Sequence, residues 1–301
     1  AARDVRDADA LIVRTRTRCD AALLDGSRVR FIATATIGFD HIDLDYCRHR
    51  QIGVATAAGC NARGVLQWIA AVLHHLSQRD GWHPAEKTLG VVGAGHVGEL
   101  VRRYAASWGF RVLTCDPPRA AREGGGDFVP LEEVARHCDL VTFHTPLDAT
   151  TRRMADEALL RQLKPKAVVI NSSRGEVVDG DALLRSGRPY VLDVWEHEPD
   201  IDRRLLAGAI LATPHIAGYS AQGKANATAM AVGAVARRFA LPLEGWYPAV
   251  APSHPRPIGW DELAATIGAR YDIAAESDTL KRHPERFEAL RNGYSYREEY
   301  F

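Results

Sequence analysis

The stretch from Thr88 to Ser107 constrains this chain most. Thr88-Leu-Gly-Val-Val is an apolar run suited to a buried strand, and it passes directly into Gly93-Ala-Gly95-His-Val-Gly98, after which Glu99 to Ser107 continues with helical character. Strand, glycine turn and helix in that order form the dinucleotide fingerprint in its proper setting. Gly93 permits the tight turn, Gly95 lets the backbone approach a pyrophosphate, and Gly98 lets helix and strand pack closely. The helix N-terminus offers amides and a positive dipole to the anion. A second strand, Arg111-Val-Leu-Thr-Cys, ends at Asp116, eighteen positions after Gly98. An acid there can accept both ribose hydroxyls of NAD and repels the 2′-phosphate of NADP, so NAD is the expected cofactor. Arg119 could contact such a phosphate, but Asp116 is expected to dominate.

The same alternation extends along the chain. Runs rich in valine and isoleucine at Ala10 to Arg14, Val29 to Ala33, Val54 to Ala57, Leu89 to Val92, Val112 to Cys115, Leu140 to His144, Val168 to Asn171 and Tyr190 to Val194 are predicted strands. Amphipathic stretches lie between them, the sequence form of β-α-β units, and predict an α/β fold with doubly wound, Rossmann-like parallel sheets. Gly64 to Gln78, with Leu66, Ile69, Leu73 and Leu76 at helical spacing, and Val97 to Ser107 are predicted helices. At 301 residues the chain exceeds what one core usually serves, so two domains and a small appendage are expected. The break falls after Phe239, where Leu-Pro-Leu-Glu-Gly-Trp-Tyr-Pro and then Pro252, Pro255 and Pro257 interrupt any regular element. Beyond it, Trp260 to Ile267 and Pro284 to Arg291 are predicted helices. Trp260, Tyr271, Phe287, Tyr294, Tyr296, Tyr300 and Phe301 give this tail more aromatic surface than so small a segment buries alone, which predicts a homodimer.

Composition excludes some partners. Lysine plus arginine equals aspartate plus glutamate at 38 each, without the basic surplus of a nucleic-acid binder. No apolar run approaches the roughly 20 residues of a membrane helix, and the start shows no signal-peptide pattern, so neither membrane nor export is expected. Cys19, Cys47, Cys60, Cys115 and Cys138 are odd in number and lack metal-site spacing, so they read as buried thiols of a reducing cytoplasm, with no metal bound.

The chemistry sits in three later motifs: Ile170-Asn-Ser-Ser-Arg174-Gly, Leu192-Asp193-Val-Trp-Glu-His-Glu198-Pro and Thr213-Pro-His215-Ile-Ala-Gly218-Tyr219. Each falls where a strand is expected to end, and carboxyl ends of parallel strands line the ligand crevice. An arginine can clamp a carboxylate with two parallel hydrogen bonds. A histidine titrates near neutral pH, and an adjacent carboxylate orients the ring and favours its protonated form.

With these motifs following the glycine loop, the chain resembles the D-isomer-specific 2-hydroxyacid dehydrogenases. Thr34-Ala-Thr-Ile-Gly-Phe-Asp40-His41, Cys115-Asp-Pro-Pro-Arg-Ala120 and Pro214-His-Ile-Ala-Gly-Tyr219 bring it nearest to a subgroup acting on a small phosphorylated 2-hydroxy acid. The resemblance implies a substrate domain of residues 1–61 with 214–240, an NAD-binding domain of 62–213, and a small C-terminal α/β dimerisation domain of 241–301. It also implies that Arg174 binds the substrate carboxylate and C2 oxygen, that His215 is the acid/base, and that Glu198 supports it. Cofactor contacts are implied for His96, Val97, Asp116, Thr145, Ser172, Ser173, Asp193 and Gly218, beside Gly93, Gly95 and Gly98. Substrate contacts are implied for Thr15, Thr36 and Tyr219.

The family's opening strand and helix have no counterpart before Val5, Gln67-Trp stands where the family shows glutamate and an aromatic residue, and the segments Asp148 to Thr151 and Ser186 to Tyr190 are short. Arg14, Arg16 and Arg18 alternate as on a solvated face, but with Thr15 among them Arg14 is a candidate for the substrate phosphate. His41 and His144 read as structural, Asn61 as a hinge residue, and Glu196 is the neighbour with which Glu198 could be confused. Two alternatives stay open: another dehydrogenase of the family, for phosphoglycerate or glyoxylate, and a non-catalytic NAD-sensing protein of the same fold.

Overall fold

The computed structural model describes residues 5–252 and 254–300, so Phe301 lies outside the described residues. They form two compact units, residues 5–62 with 220–252 and residues 63–219 with 254–300.

The first unit holds strands β1 (Ala10–Val13), β2 (Phe31–Thr34) and β3 (Gly53–Thr56), parallel and in sequence order. Val13, Leu24, Ile32 and Cys47 are among the side chains of its core. The helix Ala221–Phe239 returns to this unit, and its Ala227 and Ala231 meet Ala33, Ala35 and Ala57. Small side chains on both surfaces let helix and sheet approach closely.

The second unit contains β4 (Thr88–Val92), β5 (Arg111–Cys115), β6 (Leu140–Phe143), β7 (Val168–Asn171), β8 (Tyr190–Leu192) and β9 (Leu211–Ala212). All pair in parallel in the order β5-β4-β6-β7-β8-β9, and a single bridge from Thr114 to Phe128 marks the next position outside β5. The order reverses between β4 and β6, which makes the crevice at their carboxyl ends the switch point where such sheets bind ligands. One sheet face is covered by the helix Ala62–Asp80, whose Leu66, Ile69, Leu73 and Leu76 are fully buried, and by the helix His96–Ser107. The other carries helices Leu131–His137, Glu157–Gln162, Gly180–Ser186 and Arg203–Gly208. Each of those four leucine and isoleucine side chains contributes about 1.5–3 kcal/mol by leaving water.

All eight predicted strands are present with ends shifted by a few residues, and β9 is additional. The tail departs more. Trp260–Glu262 is a 3₁₀ turn followed by a π-helical turn at Ala264–Gly268 where one helix was expected, the helix Ile273–Arg282 was not anticipated, and no strand occurs among the tail's described residues. Nor do residues 254–300 build a core of their own. Ile258, Leu263, Ile267, Tyr271 and Ile273 join the sheet face under Ala62–Asp80, while Leu280 and Phe287 join the opposite face. A segment this short cannot enclose its apolar side chains, and the sheet offers both faces to them. The unit boundaries therefore differ from those expected: 214–219 and the tail go with the larger sheet, and 241–252 with the smaller. Tyr271 and Phe287 are buried and Trp260 stacks on Trp82 at 6.2 Å, so the aromatic surplus is largely satisfied within the chain.

Candidate active site

The glycine loop has little freedom. Gly93 has φ +87°, and a Cβ there would fall 2.7 Å from the His144 carbonyl oxygen at the end of β6, while one on Gly98 would fall 1.8 Å from the Gly93 oxygen. Gly95, at the N-cap of His96–Ser107, faces open space: nothing lies within 4 Å of the position its Cβ would take. Exposed Gly95 and His96, half-buried Val97 and the first helical amides thus form an open cradle suited to an anion. Asp116 follows β5, accepting the Ala94 amide at 2.7 Å and capping the next helix through the Arg119 amide at 2.8 Å. The Arg119 guanidinium is engaged by Glu99 and Glu123, both at 2.7 Å.

Arg174 stands just beyond β7. Asn171 builds the turn, donating to the Arg174 carbonyl oxygen at 2.8 Å and accepting from the Ser173 amide at 3.0 Å and hydroxyl at 2.8 Å. Glu198 follows β8 and His215 follows β9. Glu198 accepts the Trp195 amide at 3.0 Å through Oε1, and its Oε2 lies 2.7 Å from His215 Nδ1. Burial alone would raise the Glu198 pKa, but His215, the Trp195 amide and Arg291 outweigh it and hold the carboxyl below its usual range. With Nδ1 committed to the carboxylate, Nε2 is the ring nitrogen left for proton exchange.

His215 has φ +57°, a left-handed conformation that costs a non-glycine residue of order 1 kcal/mol or more and persists only where its surroundings impose it. Asp193 imposes it here. Its side chain accepts from the Thr213 hydroxyl at 2.6 Å and the Ile216 and Ala217 amides at 2.8 and 2.9 Å, and its carbonyl accepts the His215 amide at 2.7 Å. Burial raises the Asp193 pKa despite these donors. Trp68 donates to the Thr213 hydroxyl at 3.0 Å, and Gln67 donates to the Glu298 carbonyl oxygen at 2.8 Å, so the departure at Gln67-Trp is built into the contacts of loop and tail.

Two tail residues that the sequence did not single out reach the same loops. Arg297 donates to the carbonyl oxygens of Ile216 at 3.2 Å and Ala217 at 2.7 Å. Arg291 places Nη1 3.4 Å from Glu198 Oε2 and Nε 3.3 Å from the Tyr219 hydroxyl, and the Tyr219 ring stacks on Tyr296.

The remaining expected positions divide. Thr145 and Ser172, at the ends of β6 and β7, have buried hydroxyls without a hydrogen-bond partner. Ser173 is taken up by Asn171, and Gly218 is half-buried beside Tyr219. Arg14, Thr15 and Thr36 belong to the first unit, the first two exposed and the Thr36 hydroxyl bonded to Thr34 at 2.6 Å. His41 is bonded to the Thr34 hydroxyl and lowered in pKa mainly by burial. His144 is bonded to Thr142, and burial lowers its pKa to about 3. Asn61 lies in the first unit beside Gly223 and keeps a buried, unpartnered side-chain oxygen.

Residues 61–217 match the family described as D-isomer specific 2-hydroxyacid dehydrogenase, NAD binding domain. The chain belongs to the D-isomer-specific 2-hydroxyacid dehydrogenases. Among curated relatives, the erythronate-4-phosphate dehydrogenase of Bacteroides thetaiotaomicron is 46% identical over 304 residues, covering 98% of this chain and 87% of its own length. That of Ectopseudomonas mendocina is 51% identical over 246 residues, covering 80% of this chain and 65% of its own length. Among solved structures, the NAD-bound 3-phosphoglycerate dehydrogenase of Entamoeba histolytica has a TM-score of 0.68 at 25% identity over 84% of this chain and 85% of that one. The D-lactate dehydrogenase of Aquifex aeolicus, complexed with NAD and lactic acid, has a TM-score of 0.63 at 26% identity over 84% of this chain and 90% of that one. This 2-hydroxyacid dehydrogenase uses NAD, and its residues fit the cofactor: an open glycine cradle, an acid after β5, and two unpartnered hydroxyls at strand ends.

Proposed function

We propose that this dehydrogenase oxidises 4-phospho-D-erythronate to 2-oxo-3-hydroxy-4-phosphobutanoate, a step of pyridoxal phosphate biosynthesis. The observation carrying the chemistry is the 2.7 Å pairing of His215 Nδ1 with Glu198, which leaves Nε2 for the substrate hydroxyl. The choice of substrate rests on the 46% identity with an erythronate-4-phosphate dehydrogenase across 98% of the chain.

Arg174 holds the substrate carboxylate and C2 oxygen in a bidentate clamp, which fixes C2 for reaction. His215 Nε2 takes the C2 hydroxyl proton, and Glu198 stabilises the imidazolium that results. A bound NAD would supply the hydride acceptor for the C2–H electron pair. The proton on His215 passes to solvent. General-base assistance of this kind is typically worth about 10²- to 10⁴-fold. Gly95, His96 and Val97 would hold the pyrophosphate on the turn that Gly93 and Gly98 make possible, Asp116 would hold the ribose, and Thr145, Ser172, Ser173, Asp193 and Gly218 would complete the cofactor site. Thr15, Thr36 and Arg14 receive the substrate phosphate, and Tyr219 assists the substrate.

No described helix is long and apolar enough to cross a membrane, and all five cysteines are buried and outside any disulfide, which fits a reducing cytoplasm. A homodimer through 241–301 is part of the same reading. The deciding experiment follows NADH formation across 4-phosphoerythronate, 3-phosphoglycerate, glycerate and D-lactate. The highest kcat/KM on 4-phosphoerythronate is expected. A higher value on another acid would move the enzyme elsewhere in the family, and NAD binding without turnover on any of them would favour a sensor.

A further inference from the structure

The helix Phe287–Asn292 brings a third charged group to the Glu198–His215 pair. Phe287 is buried with Leu280 against the sheet and anchors this short helix, which carries Arg291. Arg291 then spans two groups of the site, with Nη1 3.4 Å from the same Glu198 oxygen that His215 engages and Nε 3.3 Å from the Tyr219 hydroxyl. Its side chain is 25% exposed and that of Glu198 16%, so solvent screens the pair only in part.

We propose that Arg291 is a positioning residue for the acid/base pair: its guanidinium shares the Glu198 carboxylate with His215 and thereby sets the placement of the ring and the pH at which it gives up its proton. The inference rests on His215 being the acid/base. A carboxylate facing a single cation favours imidazolium fully, and a second cation on the same oxygen withdraws part of that support. Arg291 thus keeps His215 ready to act as a base while Glu198 still orients it. Other charged or titratable groups around the pair include Asp193, packed against the loop of His215, Arg297, on the carbonyls of Ile216 and Ala217, and Tyr219 and Glu288, which face Arg291. Arg291 is among the groups that hold the Glu198 carboxyl low. Arg297, on the carbonyls of Ile216 and Ala217, secures the same loop from the tail, so residues after 254 complete this site besides filling the core.

The test compares wild type with Arg291→Met, Arg291→Gln and Arg291→Lys. Removing the charge in Met or Gln should move the acidic limb of kcat/KM for hydroxy-acid oxidation to higher pH by about 0.5–1 unit, with kcat roughly tenfold lower. Lys should restore the limb while leaving kcat reduced, because it keeps the charge without the fork. Nitrogen NMR of His215 in the cofactor-free protein, assigned by its loss in His215→Ala, should show the same upward displacement in Met or Gln. Gln keeps hydrogen-bonding groups and serves if Met does not fold. An unmoved limb and an unmoved His215 titration in a folded charge-free variant would overturn the inference, as would a rise in KM alone, which would make Arg291 a substrate contact. Near-normal turnover in His215→Ala would instead refute the functional reading, whatever the Arg291 variants do.

Discussion

A methyl group on Gly175 would lie 2.0 Å from the carbonyl carbon of Trp195, so the turn after β7 rests on the turn after β8 with no room for a side chain. Arg174 precedes that glycine, and Trp195 donates its amide to Glu198. The two ends of the proposed site are therefore set by one backbone contact. Gly175→Ala should push the turns apart and lower kcat/KM by on the order of 10²-fold, since displacements near 1 Å cost about that much. Steady-state kinetics with a thermal melt checks this, and wild-type kcat/KM would show that the close approach is dispensable.

Asp116 has two duties, toward the ribose and toward the Ala94 and Arg119 amides. Asp116→Ala should erode the preference for NAD over NADP and, by losing a helix cap, cost about 1 kcal/mol of stability. Because Arg119 is tied to Glu99 and Glu123, the single variant should use NADP only weakly. Adding Glu99→Gln, which loosens Arg119, should increase it. An unchanged ratio of kcat/KM for the two cofactors in both variants would remove Asp116 from the ribose site.

Much of this was legible because it is local. The strand, glycine loop, helix and acid of the cofactor site fall within Thr88 to Asp116, and Leu66, Ile69, Leu73 and Leu76 announce a buried helical face by spacing alone. Arg174, Glu198 and His215 each sit in a motif at the end of a strand. β9 has no strand pattern of its own, because two residues carry no periodicity, and only the motif that follows it marks a strand end there. Arg291 lies 93 residues from Glu198 and Arg297 lies 81 from Ile216, in a segment full of charges, so only folding distinguishes them. The tail's aromatic excess needs cover, but composition does not say that the cover comes from the same chain.

Burial raises the thiol of Cys47, takes those of Cys19 and Cys115 up to about 11, and takes that of Cys138 up to about 12. At pH 8 a thiol near 11 is only about one part in a thousand thiolate, the reactive form. All five cysteines are buried, so the native enzyme should react negligibly with a thiol reagent over minutes, and all five should react after denaturation. One fast-reacting thiol in the native protein would contradict this.

The proposed homodimer would use a different part of the C-terminal segment from the aromatic tail. Leu241, Leu243, Trp246 and Val250 are 39–42% exposed, unlike the buried Tyr271 and Phe287. A dimer in sedimentation that becomes a monomer on Leu243→Ser with Trp246→Ser is the expected result. A wild-type monomer at micromolar concentration would count against it.

The proposed roles of Arg174, Glu198 and His215 separate kinetically. His215→Ala removes the proton acceptor and should lower kcat by about 10²-fold or more with a modest change in KM, as for a group acting mainly in the transition state. Arg174→Lys keeps the charge but loses the fork, so KM should rise as kcat falls. Glu198→Gln keeps a hydrogen-bonding group of the same shape but removes the charge that favours imidazolium. The acidic limb of kcat/KM should then move to lower pH, opposite to the movement expected for Arg291→Met. Since Glu198 acts through the ring it holds at 2.7 Å, Glu198→Gln added to His215→Ala should cost little beyond His215→Ala alone. Full additivity of the two losses would mean that Glu198 serves the reaction by a route that does not pass through His215.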